Sequence, residues 1–147
     1  MTIAVQVLVT ISVLSFAAVA SAADLNHTHA TNPRWVPHAR FHVVWQVFTH
    51  IGIGALALVL VWVPLGPVGV RVWIAIGICA VVIAGFFLAW ASMRVYDGQL
   101  SDPNGYRPAI ARLGKVRVTL DQNVLLFCAG SALLMAALII ILINGGV

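Results

Sequence analysis

Apolar residues fill four long runs of the chain, and three polar segments separate these runs. A helix needs roughly 20 mainly apolar residues to cross the hydrocarbon core of a bilayer. The runs therefore predict membrane-spanning helices at residues 3–22, 37–63, 70–93 and 120–143. We expect an all-α fold, an integral membrane four-helix bundle, with residues 1–147 in a single transmembrane domain.

Local signals set the expected ends of the second and fourth helices. Pro37 suits the first turn of a helix, where its missing N–H costs nothing, and residues 64–67 close the second helix in a tight turn. Thr119 and Gln122 have the spacing of a capping box, which predicts that the fourth helix starts at Leu120. Small residues four positions apart predict a ridge at which this helix approaches a neighbour: Cys128, Ala132 and Ala136.

The longest polar segment, residues 94–120, contains strong turn signals at Asp97-Gly98 and at residues 102–105. Its apolar residues Ile110, Leu113 and Val116 are three positions apart among basic residues. This spacing predicts a short amphipathic segment on the membrane surface. If the segment meets the first polar loop, Asp97 or Asp102 could complete a site there.

Composition agrees with the membrane class. The chain is 62% hydrophobic and 8% charged, whereas soluble domains average about 25% charged residues. With so few charged groups, the net charge of +4 indicates membrane topology rather than a nucleic-acid surface. We therefore expect the lipid bilayer as a partner and no nucleic acid. The two cysteines, Cys79 and Cys128, lie in apolar runs and are expected to be reduced.

Basic residues are distributed unevenly between the two sides of the predicted bundle. The loops after the first and third helices share one side and carry seven of the eight: Arg34, Arg40, Arg94, Arg107, Arg112, Lys115 and Arg117. The other side carries Arg71. The positive-inside rule then places these loops in the cytoplasm and both termini outside, as in a multi-pass protein of a bacterial inner (plasma) membrane.

A competing interpretation is that the first apolar run is a cleaved signal peptide, because residues 20–22 resemble a signal-peptidase site. No Lys or Arg precedes Ile3, and cleavage would place the seven basic residues outside. Retention of the first helix is therefore the favoured prediction.

All five histidines lie between Asp24 and His50. His38 and His42 are four positions apart on the predicted second helix, so their side chains share one face about 6 Å apart along the axis. Such a pair can hold a divalent metal ion when further ligands are available. We predict a metal site at Asp24, His29, His38 and His42. Alternatively, these are interfacial histidines bonded to backbone, headgroups or each other, or they ligate a haem or quinone.

His50 lies deeper, about 12 Å beyond His42 along the helix. With Gln46 and Thr49 it continues a polar ridge into the hydrocarbon, where polar groups must face the bundle interior or water. We therefore expect an internal pocket. The candidate ligand-binding residues are Trp35, Arg40, Trp45, Gln46 and His50. Alternatively, the polar ridge packs against a neighbouring helix, the tryptophans anchor at the interface, and Arg40 reaches the lipid surface.

The segment from Asp24 to His42 resembles a family of small, uncharacterised membrane proteins. Their shared segment reads approximately D-x-N-x-T-H-x-x-N-P-x-W-x-P-H-A-[RK]-F-H, and this chain matches at Asp24, Asn26, Thr28, His29, Asn32, Pro33, Trp35, Pro37, His38, Ala39, Arg40, Phe41 and His42. The resemblance implies four retained helices and gives His29, His38 and His42 more weight than His27. It implies no activity or cofactor.

Three functions remain open. The first is a binding protein whose histidine-lined pocket, at the cytoplasmic end of helices one and two, takes a metal ion or a small amphipathic, lipid-like ligand. The second is a membrane enzyme in which a bound metal activates water or oxygen, or His50 transfers a proton. The third is an accessory subunit of a larger membrane complex, with another membrane protein or a second copy of the chain as its partner.

Overall fold

A computed structural model describes residues 2–114 and 116–144. The chain is mostly helical, and its four long helices are Ile3–Asp24, Pro37–Trp62, Val68–Ala91 and Gln122–Ile143. We call them helix one to helix four. All four are long and apolar enough to cross a membrane, which confirms this part of the sequence prediction. Their ends differ from the predicted ones by at most two residues.

Residues of the third loop depart from the all-α expectation. The strands β1, Ala109–Leu113, and β2, Val116–Leu120, pair as an antiparallel hairpin in which Arg112 lies opposite Arg117. The segment is thus a hairpin and not the helical turn that a three-residue spacing favours, and its position on a membrane surface stays a prediction. Gly114, with φ +62°, occupies the turn, and the β-branched residues of β2 favour an extended backbone. A 3-10 turn, Met93–Val95, follows helix three.

The start of helix four also differs from the prediction. Asp121 is the N-cap, and its carboxylate accepts hydrogen bonds from the backbone N–H groups of Asn123 and Val124. The proposed capping box of Thr119 and Gln122 is wrong because Thr119 belongs to β2. An aspartate cap satisfies the same unpaired N–H groups at the helix start.

Helix one supplies much of the bundle core. Val5, Val9, Val13 and Phe16 are fully buried and lie on one face of the helix. A π-helical segment, Ser15–Ala20, interrupts the regular α-helix directly below this face. The extra residue per turn shifts the helix faces, and such segments often accompany functional sites.

Close backbone approach joins helix one to helix four. The Ser12 hydroxyl donates to the Gly130 carbonyl at 3.0 Å, and a Cβ added to Gly130 would lie 2.7 Å from the Ser15 Oγ. The predicted ridge of Cys128, Ala132 and Ala136 is wrong, since Cys128 and Ala132 are exposed. The buried face of helix four consists instead of Phe127, Gly130, Leu134, Ala137 and Ile141.

Arg71 closes the opposite end of the bundle. Its guanidinium is buried and donates to the Gly66 carbonyl at 3.1 Å and to the Leu60 carbonyl. A cation at the C-terminal end of helix two satisfies free carbonyls there and complements the helix dipole. The single basic residue of this side therefore has a structural role.

Candidate functional site

The first loop, residues 25–36, is folded by its own polar side chains. The Asn26 Oδ1 accepts the backbone N–H of Thr28 at 2.8 Å, and the Asn26 Nδ2 donates to the Ala23 carbonyl at 2.9 Å. Asn32 is fully buried; its Nδ2 donates to the Thr28 carbonyl and its Oδ1 accepts the Arg34 N–H. Such side-chain bonds replace the backbone pairing that a helix or strand would provide.

Asp102 of the third loop joins the two polar loops. Its Oδ2 accepts the indole N–H of Trp35 at 3.0 Å, and its Oδ1 accepts from the Asn32 amide and from the Asn104 backbone N–H. The Trp35 indole, then the Asn104 N–H and the Asn32 amide, lower the pKa of the Asp102 carboxyl. The first and third loops therefore lie on the same side of the bundle.

His29 is held by three neighbours. Its Nδ1 lies 2.7 Å from the Thr28 hydroxyl and 3.6 Å from a carboxylate oxygen of Asp24, and its ring meets Trp35 edge to face at 5.3 Å. The Thr28 hydroxyl also faces the Asn26 Oδ1 at 2.7 Å, an oxygen that can only accept. We therefore assign the hydroxyl proton to that bond and a proton to the His29 Nδ1. In this tautomer Nε2 is the nitrogen that can accept a proton.

Below this loop, between the helices, lies a cavity of about 580 Å³ that we call the inner cavity. Polar side chains from helices one, two and four and from the first loop line part of it: Asp24, His29, Trp35, Gln46, His50 and Asn123. Aliphatic and aromatic residues form the remaining wall: Ala20, Val43, Val81, Val82, Gly85, Phe86, Ala89 and Phe127. Its volume is within the range of about 300–1,000 Å³ that is typical of small-molecule sites.

Phe16 and Phe86 fix the inner walls of this cavity. The Phe16 ring meets the His50 imidazole nearly perpendicularly at 5.9 Å, and Phe86 stacks on Phe127 at 4.1 Å with the rings almost parallel. Packed aromatic rings limit side-chain motion. They therefore hold His50 and the apolar wall in place.

A second, outer cavity of about 730 Å³ lies against the third loop. Its polar lining includes Ser101, Asp102, Tyr106 and Asp121. His29 and Asn123 line both cavities and therefore form their common wall.

The structure gathers only some of the predicted site residues. Asp24, His29, Trp35, Gln46 and His50 line the inner cavity, whereas Arg40, Trp45, His38 and His42 do not. Trp45 is 60% exposed and lies beside His42 on the outer face of helix two. His50 is half-buried, and Gln46 is exposed at the rim of this cavity. Thr49 was also expected on the polar ridge but is exposed and lines neither cavity, because one residue turns a helix by about 100°.

The four predicted metal ligands form two pairs. Asp24 and His29 are one pair, and the other is His38 and His42, whose Nε2 atoms are 3.0 Å apart on an exposed surface. Within residues 2–114 and 116–144, no group of three or more His, Cys, Asp or Glu side chains is arranged to hold a metal ion. The described geometry thus does not unite the four residues in one coordination sphere.

Two residues of the site had little or no signal in the sequence. Asp102 had a turn signal and was named only on the condition that the loops meet, which they do. Asn123 follows the N-cap of helix four and carries no motif, but the fold places it between the two cavities. Both contributions depend on contacts between distant parts of the chain.

Comparison with known proteins gives one match. The model of a family described as "Family of unknown function (DUF6640)" matches residues 8–120. The chain belongs to this family. The match covers helices two and three, both polar loops and the hairpin, and therefore all of the inner-cavity lining except Asn123 and Phe127. No curated protein and no solved structure matches the chain.

Proposed function

We propose that this chain is a multi-pass membrane protein that binds a small amphipathic molecule in the inner cavity. The observation that carries the proposal is the composition of the cavity wall. Hydrogen-bonding side chains from separate segments of the chain face a shared space that is otherwise apolar. Sites for small ligands commonly combine an apolar wall with a few convergent polar groups.

The depth of the polar groups supports a ligand with a polar end and an apolar body. Gln46 and His50 follow the start of helix two by nine and 13 residues, or about 14 and 20 Å along its axis. Polar side chains at such depth in a bilayer are costly unless they face partners inside the bundle. A ligand hydroxyl, amide or amine would provide those partners, while Val43, Val82 and Phe86 contact its apolar part.

The charges of the lining favour a neutral or cationic head. Asp24 is the only carboxyl group in this lining, and one of its oxygens lies 3.6 Å from the Nδ1 of His29. The described lining contains no Lys or Arg, the residues that commonly bind phosphate or carboxylate groups. We therefore expect an alcohol or amine to bind in preference to a fatty acid of the same chain length.

Binding of three amphiphiles with equal chain length tests the proposal. Dodecanol and dodecylamine should bind detergent-purified protein more tightly than laurate, as measured by displacement of a fluorescent fatty alcohol. His50→Leu should weaken binding about tenfold, the typical effect of leaving the ligand's polar group without its partner. Gln46→Leu should weaken binding less, because Gln46 lies at the exposed rim of the cavity. Thr49→Leu, on the same helix but outside the cavity, is the matched control. Equal affinity for all three amphiphiles, or equal loss in Thr49→Leu, would contradict the proposal.

A His-dependent membrane enzyme is a second candidate, favoured by the hydrogen bond between His29 and Thr28. The Thr28 hydroxyl orients the ring, and the proton is assigned to Nδ1, the arrangement of catalytic histidines with an oriented ring. The basic Nε2 of a ring that lines the cavity could then accept a proton from a bound ligand. Turnover of a bound amphiphile that disappears in His29→Gln, with binding retained, would favour this function over simple binding.

Orientation in the membrane is part of the same proposal. We propose that the first and third loops face the cytoplasm of a bacterial cell and that both termini are outside, since the basic residues concentrate in these loops. Association with another membrane protein or with a second copy of the chain stays a prediction from the sequence.

A further inference from the structure

His38 and His42 form a pair on the outside of the first two turns of helix two. Their Nε2 atoms are 3.0 Å apart, the ring centroids are 4.5 Å apart, and the rings are nearly perpendicular at 86°. Both residues are exposed and neither lines the inner cavity. The pair is therefore separate from the inner cavity, and the Nε2 atoms of the two rings face each other.

The separation of these nitrogens fits a shared ion. Imidazole nitrogens bind Zn²⁺ at about 2.0–2.1 Å. Two nitrogens 3.0 Å apart and each about 2.05 Å from one ion subtend an angle of about 94°. This angle is close to that of square or tetragonal coordination, which Cu²⁺ and Ni²⁺ prefer. Tetrahedral coordination of Zn²⁺ would require the rings to separate by a few tenths of an ångström.

We propose that His38 and His42 together bind one late first-row divalent transition-metal ion, with Cu²⁺ bound most tightly. Two imidazoles and no carboxylate favour such ions over Mg²⁺ and Ca²⁺, which take oxygen ligands, and affinities of nitrogen sites rise toward Cu²⁺. Water fills the remaining coordination positions, so the ion stays accessible from outside. The site uses two of the four predicted metal ligands and does not depend on the inner cavity.

The start of helix two places this pair on one face. Pro37 occupies the first turn of helix two, and the four-residue spacing places both imidazoles on one face. Trp45, one turn further on, has its ring centroid 5.9 Å from that of His42. A bound Cu²⁺ ion would therefore quench the fluorescence of Trp45, which gives a local optical signal.

The test is a titration of untagged, chelator-washed protein in detergent with Cu²⁺, Ni²⁺ and Zn²⁺. Binding is measured by calorimetry and by tryptophan fluorescence. Wild-type protein should bind one Cu²⁺ ion per chain, with weaker Ni²⁺ and Zn²⁺. His38→Ala and His42→Ala should each weaken Cu²⁺ binding about tenfold or more, and the double variant little further, because one chelate is lost in every case. His27→Ala, an exposed loop histidine, is the matched control and should bind as wild type.

Two further readouts do not depend on the histidine variants. The electron paramagnetic resonance spectrum of the Cu²⁺-loaded wild type should show two equatorial nitrogen ligands, and Trp45→Phe should reduce the quenching without reducing affinity. No saturable binding by the wild type would overturn the proposal. So would equal loss in His27→Ala, or a loss in Asp24→Asn and His29→Ala as large as in His38→Ala. These outcomes leave the amphiphile proposal intact, since neither histidine lines the inner cavity.

Discussion

The indole N–H of Trp35 donates to the Oδ2 of Asp102 at 3.0 Å and ties the first loop to the third across 67 positions of the chain. Trp35 also packs edge-on against His29, which lines both cavities. The bond between Trp35 and Asp102 therefore connects the closure of the two loops with the position of a cavity residue.

Loss of this bond should loosen the loops. Trp35→Phe keeps an aromatic ring beside His29 but removes the donor. Asp102→Asn replaces one of the two accepting oxygens by an NH2 group, which cannot accept from Trp35, Asn32 or Asn104. Both variants should lower the apparent melting temperature and speed proteolysis in residues 92–121. Asp97→Asn is the matched control, since Asp97 lies in the same loop at φ +55°, a conformation that asparagine tolerates. If both variants were cleaved at the same rate as the wild type, the bond would not hold the loops together.

Asp102 also predicts how stability depends on pH. Its folded pKa is below the ordinary value of 3.8, first because of the Trp35 indole. The ionised carboxylate therefore stabilises the folded loops above about pH 4, and this contribution is lost as the pH falls through the folded pKa. The difference in melting temperature between wild type and Asp102→Asn should narrow below pH 4. A constant difference down to pH 2 would contradict this assignment.

Gly130 should not tolerate a large side chain. A Cβ there would lie 2.7 Å from the Ser15 Oγ, at the contact of helix one with helix four. Gly130→Leu should cost about 1–3 kcal/mol of stability, the usual effect of overpacking. Ala129→Leu, at the exposed neighbouring position, should change stability by at most about 0.5 kcal/mol. Denaturant titration of helix content measures both, and similar values for the two variants would show that this contact is not tightly packed.

Much of the helical fold could be predicted because length and apolarity alone identify helices that can cross a membrane. The position of His50 at the inner cavity follows similarly from the cost of exposing polar groups to hydrocarbon, whereas Gln46 lines the cavity at its exposed rim. The hairpin was missed because Ile110, Leu113 and Val116 satisfy a three-residue spacing as well as a strand. The role of Asp102 depends on Trp35 and Asn32, about 70 residues away. Likewise, spacing alone could not show that His29 contacts Thr28 and Asp24, whereas His38 and His42 contact each other.

Membrane orientation can be tested by labelling single cysteines in whole cells. Ser101 is exposed in the third loop, and Leu65 is exposed in the turn after helix two. Ser101→Cys should be protected from a membrane-impermeant maleimide until the cells are opened, whereas Leu65→Cys should react at once. The parent chain with its native cysteines measures the background. Labelling of Ser101→Cys in intact cells would contradict the proposed orientation.

Gly85 offers the most direct test of ligand binding in the inner cavity. It lines the cavity, and a Cβ added there meets no atom within 4 Å, so Gly85→Leu should fill space without disturbing the packing. Gly52 is equally open but lies outside the inner and outer cavities, which makes Gly52→Leu the matched control. The measurement is native mass spectrometry of the three proteins released from the same detergent. We expect an amphiphile on wild type and Gly52→Leu that is absent from Gly85→Leu; an equal amount on Gly85→Leu would contradict binding in this cavity.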